Sequence, residues 1–129
     1  MPLEDGDAAP REVLLVVSDT AYRSALGGDL RSVGLRPIEA ATPMEALTIT
    51  DQTPGISLLV VDFDTPPGTL HAVAFARMAK TRNRAAKVLL AVRHADDADQ
   101  LDEWDLGIFD GVLVKGDHPA TLAAILGTA

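Results

Sequence analysis

An alternating α/β domain, with a parallel sheet carrying helices on both faces, is predicted by three observations. Short apolar runs recur at residues 13–17, 58–62 and 87–92, each of the length of a strand buried on both sides. Segments with helical spacing separate them, so strand and helix alternate five times along the chain. The clearest run, Leu58-Leu59-Val60-Val61-Asp62, is framed by Pro54-Gly55 and Pro66-Pro67-Gly68 and stops abruptly at an acid. Open α/β sheets place their chemistry at the carboxyl ends of strands. Asp62 is therefore the first candidate functional residue, as nucleophile or metal ligand; a carboxylate that merely caps the next turn is the plain alternative.

Residues 1–10 are acidic, contain Pro and Gly, and read as a flexible leader, leaving 11–129 as one domain. Residues 13–17 form the first strand. After Asp19-Thr20, the spacing of Leu26, Leu30 and Val33 predicts a helix that Gly34 stops. Gly27-Gly28 inside it costs about 1 kcal/mol per glycine relative to alanine, or marks close packing on the sheet. Residues 36–41 make a short strand whose Pro37 suits an edge. Thr42-Pro43-Met44-Glu45 combines an N-cap, a first-turn proline and capping-box spacing. A third helix is predicted over 70–81, with Val73, Phe75, Ala76 and Met78 on its apolar side. The fourth strand covers 87–92, and a helix with an acidic first turn covers 96–104. Ile108-Phe109 and Val112-Leu113-Val114 frame a fifth strand weakened by Asp110-Gly111. A short closing helix spans 119–126, with Leu122, Ile125 and Leu126 apolar.

Composition narrows the function classes. The chain has 129 residues, 47% hydrophobic and 23% charged, which is globular. It has no cysteine, so disulfides and thiolate metal sites are excluded. No apolar stretch approaches the roughly 18 residues of a membrane span, and the acidic N-terminus does not resemble a secretory signal. A cytoplasmic protein without membrane contact is expected. The net charge of −8 argues against direct nucleic-acid binding, which needs clustered lysine and arginine.

Three segments together resemble the receiver domain of bacterial response regulators over residues 12–126. Asp62-Phe63-Asp64-Thr65-Pro66 has the acid-to-proline spacing of that family's phosphoacceptor loop. Asp110-Gly111-Val112-Leu113-Val114-Lys115 is similar to its fifth strand and following lysine, and His118-Pro119 through Ile125 to its closing helix. The resemblance implies a five-stranded, (βα)5 flavodoxin-like sheet of order 2-1-3-4-5. It implies a two-component pathway with a histidine kinase or a downstream signalling protein as partner, a homodimer being a further option, and no enzymatic role. Because no output domain is visible in 129 residues, any effect is expected to travel through another chain.

The family's chemistry has an aspartate attack a phosphoryl group while Mg2+, held by an acid pair after the first strand, offsets negative charge; a lysine and a hydroxyl contact the phosphoryl oxygens. The resemblance makes Asp62 the candidate phosphoacceptor, Lys115 the candidate phosphoryl contact, and Asp19 with Asp62 the candidate Mg2+ ligands. Two placements of the acid pair are open. Matching strand ends gives Ser18 and Asp19; matching without gaps through Arg23, Leu26, Leu30 and Gly34 gives Val17 and Ser18, and keeps the helix in register with its apolar face. The hydroxyl position falls on Val92 or Arg93, Gly116 replaces a common proline, and Val112 stands where many members carry a switch aromatic. The resemblance therefore implies an atypical receiver acting by protein contact with weak or no phosphorylation; the alternative is a phosphoryl-accepting, Mg2+-dependent one. Asp62 and Lys115 would also suit a structural ion pair, in which removal of one partner costs about 3–5 kcal/mol.

Other candidates are weaker. Asp64 reads as a turn former, and His71, His94 and His118 lack metal-ligand spacing. Arg77, Lys80, Arg82, Arg84 and Lys87 form a basic cluster, and six acids between Asp96 and Asp105 an acidic one. Both read as solvated faces or, on separate surfaces, as docking patches. Trp104, the sole tryptophan, is a contact anchor if exposed.

Overall fold

The computed structural model describes residues 12–32, 34–53, 56, 58–64, 71–84 and 86–114. The leader, Leu70, Lys115, Gly116, His118 and the closing helix at 119–126 lie outside the described residues. The elements are β1 (Glu12–Val16), α1 (Thr20–Ser32), β2 (Arg36–Ala40), α2 (Pro43–Gln52), β3 (Leu58–Asp62), α3 (Ala72–Arg82), β4 (Lys87–Val92), α4 (Glu103–Leu106) and β5 (Gly111–Val114). All strand pairs are parallel, in the order β2-β1-β3-β4-β5, as predicted.

Strand alternation divides the core. Leu14, Val16, Leu59, Val61, Val88, Leu90 and Val92 face α2 and α3, meeting Leu47, Phe75 and Ala76. Val13, Leu15, Val17, Leu58, Val60, Leu89, Ala91 and Leu113 face α1, meeting Tyr22, Leu26 and Leu30. Consecutive residues of β1, β3 and β4 thus bury on opposite faces, which is why these strands read as unbroken apolar runs. Each such valine or leucine contributes about 1.5–3 kcal/mol of burial.

The helix ends follow from local chemistry. Gly34 has φ of 85°, its N–H reaches the Arg31 carbonyl and the Leu35 N–H reaches that of Leu30, a paired closure that needs a left-handed residue. In α2 the Glu45 N–H donates to Thr42 Oγ1 at 3.2 Å, while the Glu45 carboxylate returns to the Ala41 N–H at 2.7 Å. The reciprocal cap is present but reaches one residue further back than the usual box. Of the two helical glycines, Gly27 is buried with Pro37 at ordinary contact distance, and nothing approaches Gly28. A Cβ would fit at either position, so close packing requires neither glycine.

Four expectations are corrected. On α3 the buried side is Ala72, Val73, Phe75, Ala76 and Ala79, while Met78 is 37% exposed; Ala79 lies four residues after Phe75 and continues its row. The single helix expected over 96–104 is a 3-10 segment at Ala95–Gln100 followed by the separate α4. Asp97 Oδ2 accepts the N–H groups of Arg93 and His94 at the start of the first segment, and Asp102 Oδ1, at the break, accepts that of Asp105 as a fresh cap. Short acidic side chains compete in this way with a continuous helical ladder.

Third, Asp110-Gly111 anchors the fifth strand instead of weakening it. Asp110 Oδ2 accepts the Val88 N–H and Lys80 Nζ, each at 2.8 Å, and its own N–H donates to the Val88 carbonyl. Fourth, the basic cluster is not a separate face. Arg77 pairs with Asp105, Lys80 with Asp110 and Arg82 with Asp51. Truncating Asp110 would leave the Val88 N–H unsatisfied beside a fully buried strand. Asp110→Ala is expected to lower unfolding stability by about 1–3 kcal/mol in urea titration, whereas Lys80→Ala, which keeps the backbone bond, changes it by less than about 1 kcal/mol.

Candidate functional site at the end of the third strand

Asp62 closes β3 and is only 3% exposed. It follows Leu58 and Val60 on the α1 face of the sheet. In the register it lies opposite Ala91, which lies opposite Leu113. Continuing the pairing of Val16 with Val61 by one residue sets Val17 level with Asp62 on its other side. Asp62 thus occupies a row with Val17, Ala91 and Leu113, all three fully buried. A carboxylate in an otherwise apolar row needs hydrogen-bond partners. Its Oδ1 accepts the Asp64 N–H at 3.0 Å, closing a turn at the strand end.

The residues after β1 are occupied with holding the backbone. Ser18 Oγ donates to the Ala41 carbonyl at 3.1 Å, tying the loop to the end of β2. Asp19 caps α1: its Oδ1 accepts the Tyr22 N–H at 3.1 Å and its carbonyl the Arg23 N–H at 2.9 Å. Arg23 Nη1 donates to the Val17 carbonyl at 2.8 Å, and its Nε lies 3.1 Å from Glu39 Oε1. That last contact is an ion pair without hydrogen-bond geometry. The residue level with Asp62 is therefore a valine, followed by a serine and an aspartate each with a structural hydrogen bond.

On the opposite side, Val92 is buried against α2 and α3. Arg93 is exposed, with Nε 2.9 Å from Asp64 Oδ2. Asp64 is thus both a turn residue and the counter-ion of Arg93. Lys115 lies outside the described residues, so its place relative to Asp62 is not described. Of the histidines, His71 Nδ1 accepts the Val73 N–H as the cap of α3, His94 lies in the loop after β4, and His118 is outside the described residues. Among the described residues no group of three or more His, Asp or Glu side chains could hold a metal. Mg2+ takes near-octahedral oxygen ligation, keeping several waters beside one or two carboxylates; here the residue level with Asp62 is Val17, and Asp19 uses Oδ1 as a helix cap.

Tyr22 is the residue that the sequence reading missed. It leads the Tyr22, Leu26, Leu30 stripe of α1, and that four-residue spacing is the signal that finds it. Burial, then the carboxylates of Asp62 and Asp29, push its hydroxyl well above the ordinary pKa of 10.0. The phenol is thus neutral and within electrostatic reach of Asp62. The folded chain retains this proton after the unfolded chain releases it, so stability falls as pH rises beyond about 10, while below that Tyr22 adds nothing to the pH dependence. Urea unfolding is expected to lose up to about 1.4 kcal/mol per pH unit there, and Tyr22→Phe to remove that part of the slope.

No protein-family model matches the chain, and no curated protein matches it. Solved structures do. A CheY-like receiver domain from Methylobacillus flagellatus superimposes with a TM-score of 0.80 at 18% identity, covering 92% of this chain and 98% of the other. The response regulator TrrA from Thermotoga maritima, solved in complex with Mg2+-BeF, gives 0.77 at 19% identity over 92% and 97%. The chemotaxis protein CheY4 of Vibrio cholerae gives 0.77 at 21% identity over 93% and 98%. The strand order, the position of Asp62 and these likenesses agree: the chain has the fold of response regulator receiver domains.

Proposed function

We propose that this chain is an atypical receiver-like signalling domain that works by binding other proteins, with little or no phosphoryl transfer at Asp62. Its partner would be a histidine kinase or a downstream protein of a two-component type pathway. The observation that carries the reading is the row Val17, Asp62, Ala91, Leu113: the carboxylate is kept, but its neighbour on β1 is apolar. Without a cation, two negative charges brought together at Asp62 meet strong repulsion in a poorly solvated site. Asp19, with its N-cap role, and Ser18, tied to Ala41, stand where an acid pair would be needed.

The alternative makes Asp62 the phosphoacceptor, Lys115 the phosphoryl contact, and Asp19 with Asp62 the Mg2+ ligands. It is favoured by the position of Asp62 at the carboxyl end of a central strand. The Thermotoga protein was solved with Mg2+-BeF. Carrying that ion over to this chain would require Asp19 to leave its cap, at about 1 kcal/mol, and would still leave Val17 facing the ion. Arg93 would also have to exchange Asp64 for a phosphoryl oxygen.

Incubation with acetyl phosphate and Mg2+, followed by intact-protein mass, separates the two. The proposed reading expects the unmodified mass to dominate for the wild-type chain as it does for Asp62→Ala. A stoichiometric phosphoryl adduct on the wild type, absent from Asp62→Ala, would overturn it.

A further inference from the structure

We propose that Trp104, with the carboxylates of Asp96, Asp99 and Asp102 around it in sequence, forms a docking surface for a cationic amphipathic segment of another protein. The inference rests on the interaction reading above and names the partner's chemistry.

The anchor is the indole. Trp104 is the chain's only tryptophan and is 85% exposed on α4. Exposed indoles are costly to leave in water and are over-represented where partners bind. Trp104 is held in place by its neighbour: Asp105 pairs with Arg77 of α3 at 2.7 Å, and the Asp105 N–H is capped by Asp102. On α3, the residue after Arg77 is Met78, the other large apolar side chain exposed on these two elements. A fixed ion pair therefore has one exposed apolar residue next to each of its members.

Charge selects the occupant. Arg77, Lys80 and Arg82 of α3 are each paired with an acid. Asp96, Asp99 and Asp102 are exposed and form no ion pair among the described residues. These three aspartates precede Trp104 by two to eight residues in sequence, and the whole chain carries −8. That charge repels a second copy, nucleic acid and anionic membranes alike. A segment with arginines for the aspartates and the indole face, and leucine-like side chains for the indole and Met78, satisfies both features.

The test uses the whole chain and a fluorescein-labelled synthetic helical peptide with one leucine face and one arginine face. Anisotropy measures binding, and the emission of the single tryptophan reports contact directly. The expected result is saturable binding with a blue shift. Trp104→Ala is expected to weaken it about tenfold. The triple variant Asp96→Asn, Asp99→Asn, Asp102→Asn keeps a capping side chain at the start of α4, because asparagine caps as well as aspartate. It is expected to bind more weakly and with less dependence on salt. The same peptide with glutamates for arginines is expected not to bind. Unchanged thermal midpoints would show that both variants fold. Equal affinity for wild type and Trp104→Ala, or no saturable binding, would overturn the proposal. The phosphodonor result is independent: a chain that takes a phosphoryl group yet binds through Trp104 keeps this surface and loses the earlier reading. A chain that binds without Trp104 does the reverse.

Discussion

A carboxylate set into an apolar row constrains everything else at this site. Asp62 is flanked in the sheet by Val17, Ala91 and Leu113, with no second acid level with it on these strands. The sheet register fixes those neighbours. Tyr22 closes over the same side of the sheet as a neutral phenol, its proton held by burial and by the charge of Asp62. The surroundings of the carboxylate thus follow from the core packing that makes the fold stable.

The loops around this row are held by short polar ties. Ser18 is bonded to the end of β2, Asp19 to the start of α1, and Arg93 to Asp64. In each case a side chain near Asp62 is occupied by the backbone or by an opposite charge. A comparable logic governs the other end of the sheet, where Asp110 serves the Val88 N–H and Lys80 together. The acids of this chain are therefore unequal. Some fasten secondary structure, while Asp96, Asp99 and Asp102 are exposed, form no ion pair among the described residues and precede the exposed Trp104 in sequence.

Much of the fold was legible in the sequence. Unbroken apolar runs identified β1, β3 and β4, because strands covered on both faces need no alternation. Thr42-Pro43 and Gly34 marked helix ends through cap chemistry and a left-handed backbone. The acids of 96–104 suggest one helix with a favourable first turn, whereas Asp102 caps a second, separate helix at Glu103–Leu106. Met78 was placed on the buried side when the Phe75 to Ala79 spacing carries that row. At the site, Asp62 was legible from the abrupt end of its run. Tyr22 was not singled out, although its spacing to Leu26 and Leu30 placed it. The pairing of the α3 cations with Asp51, Asp105 and Asp110 is long-range, and no local pattern in the sequence reveals it.

The proposal that Asp62 works without a divalent cation is tested most directly by titrating Mg2+ into 15N-labelled protein and following the backbone amide signals. The account predicts no saturable shift of the Asp62, Phe63 and Asp64 amides, in the wild type or in Asp62→Asn. Saturable shifts at those three residues in the wild type, abolished in Asp62→Asn, would contradict it.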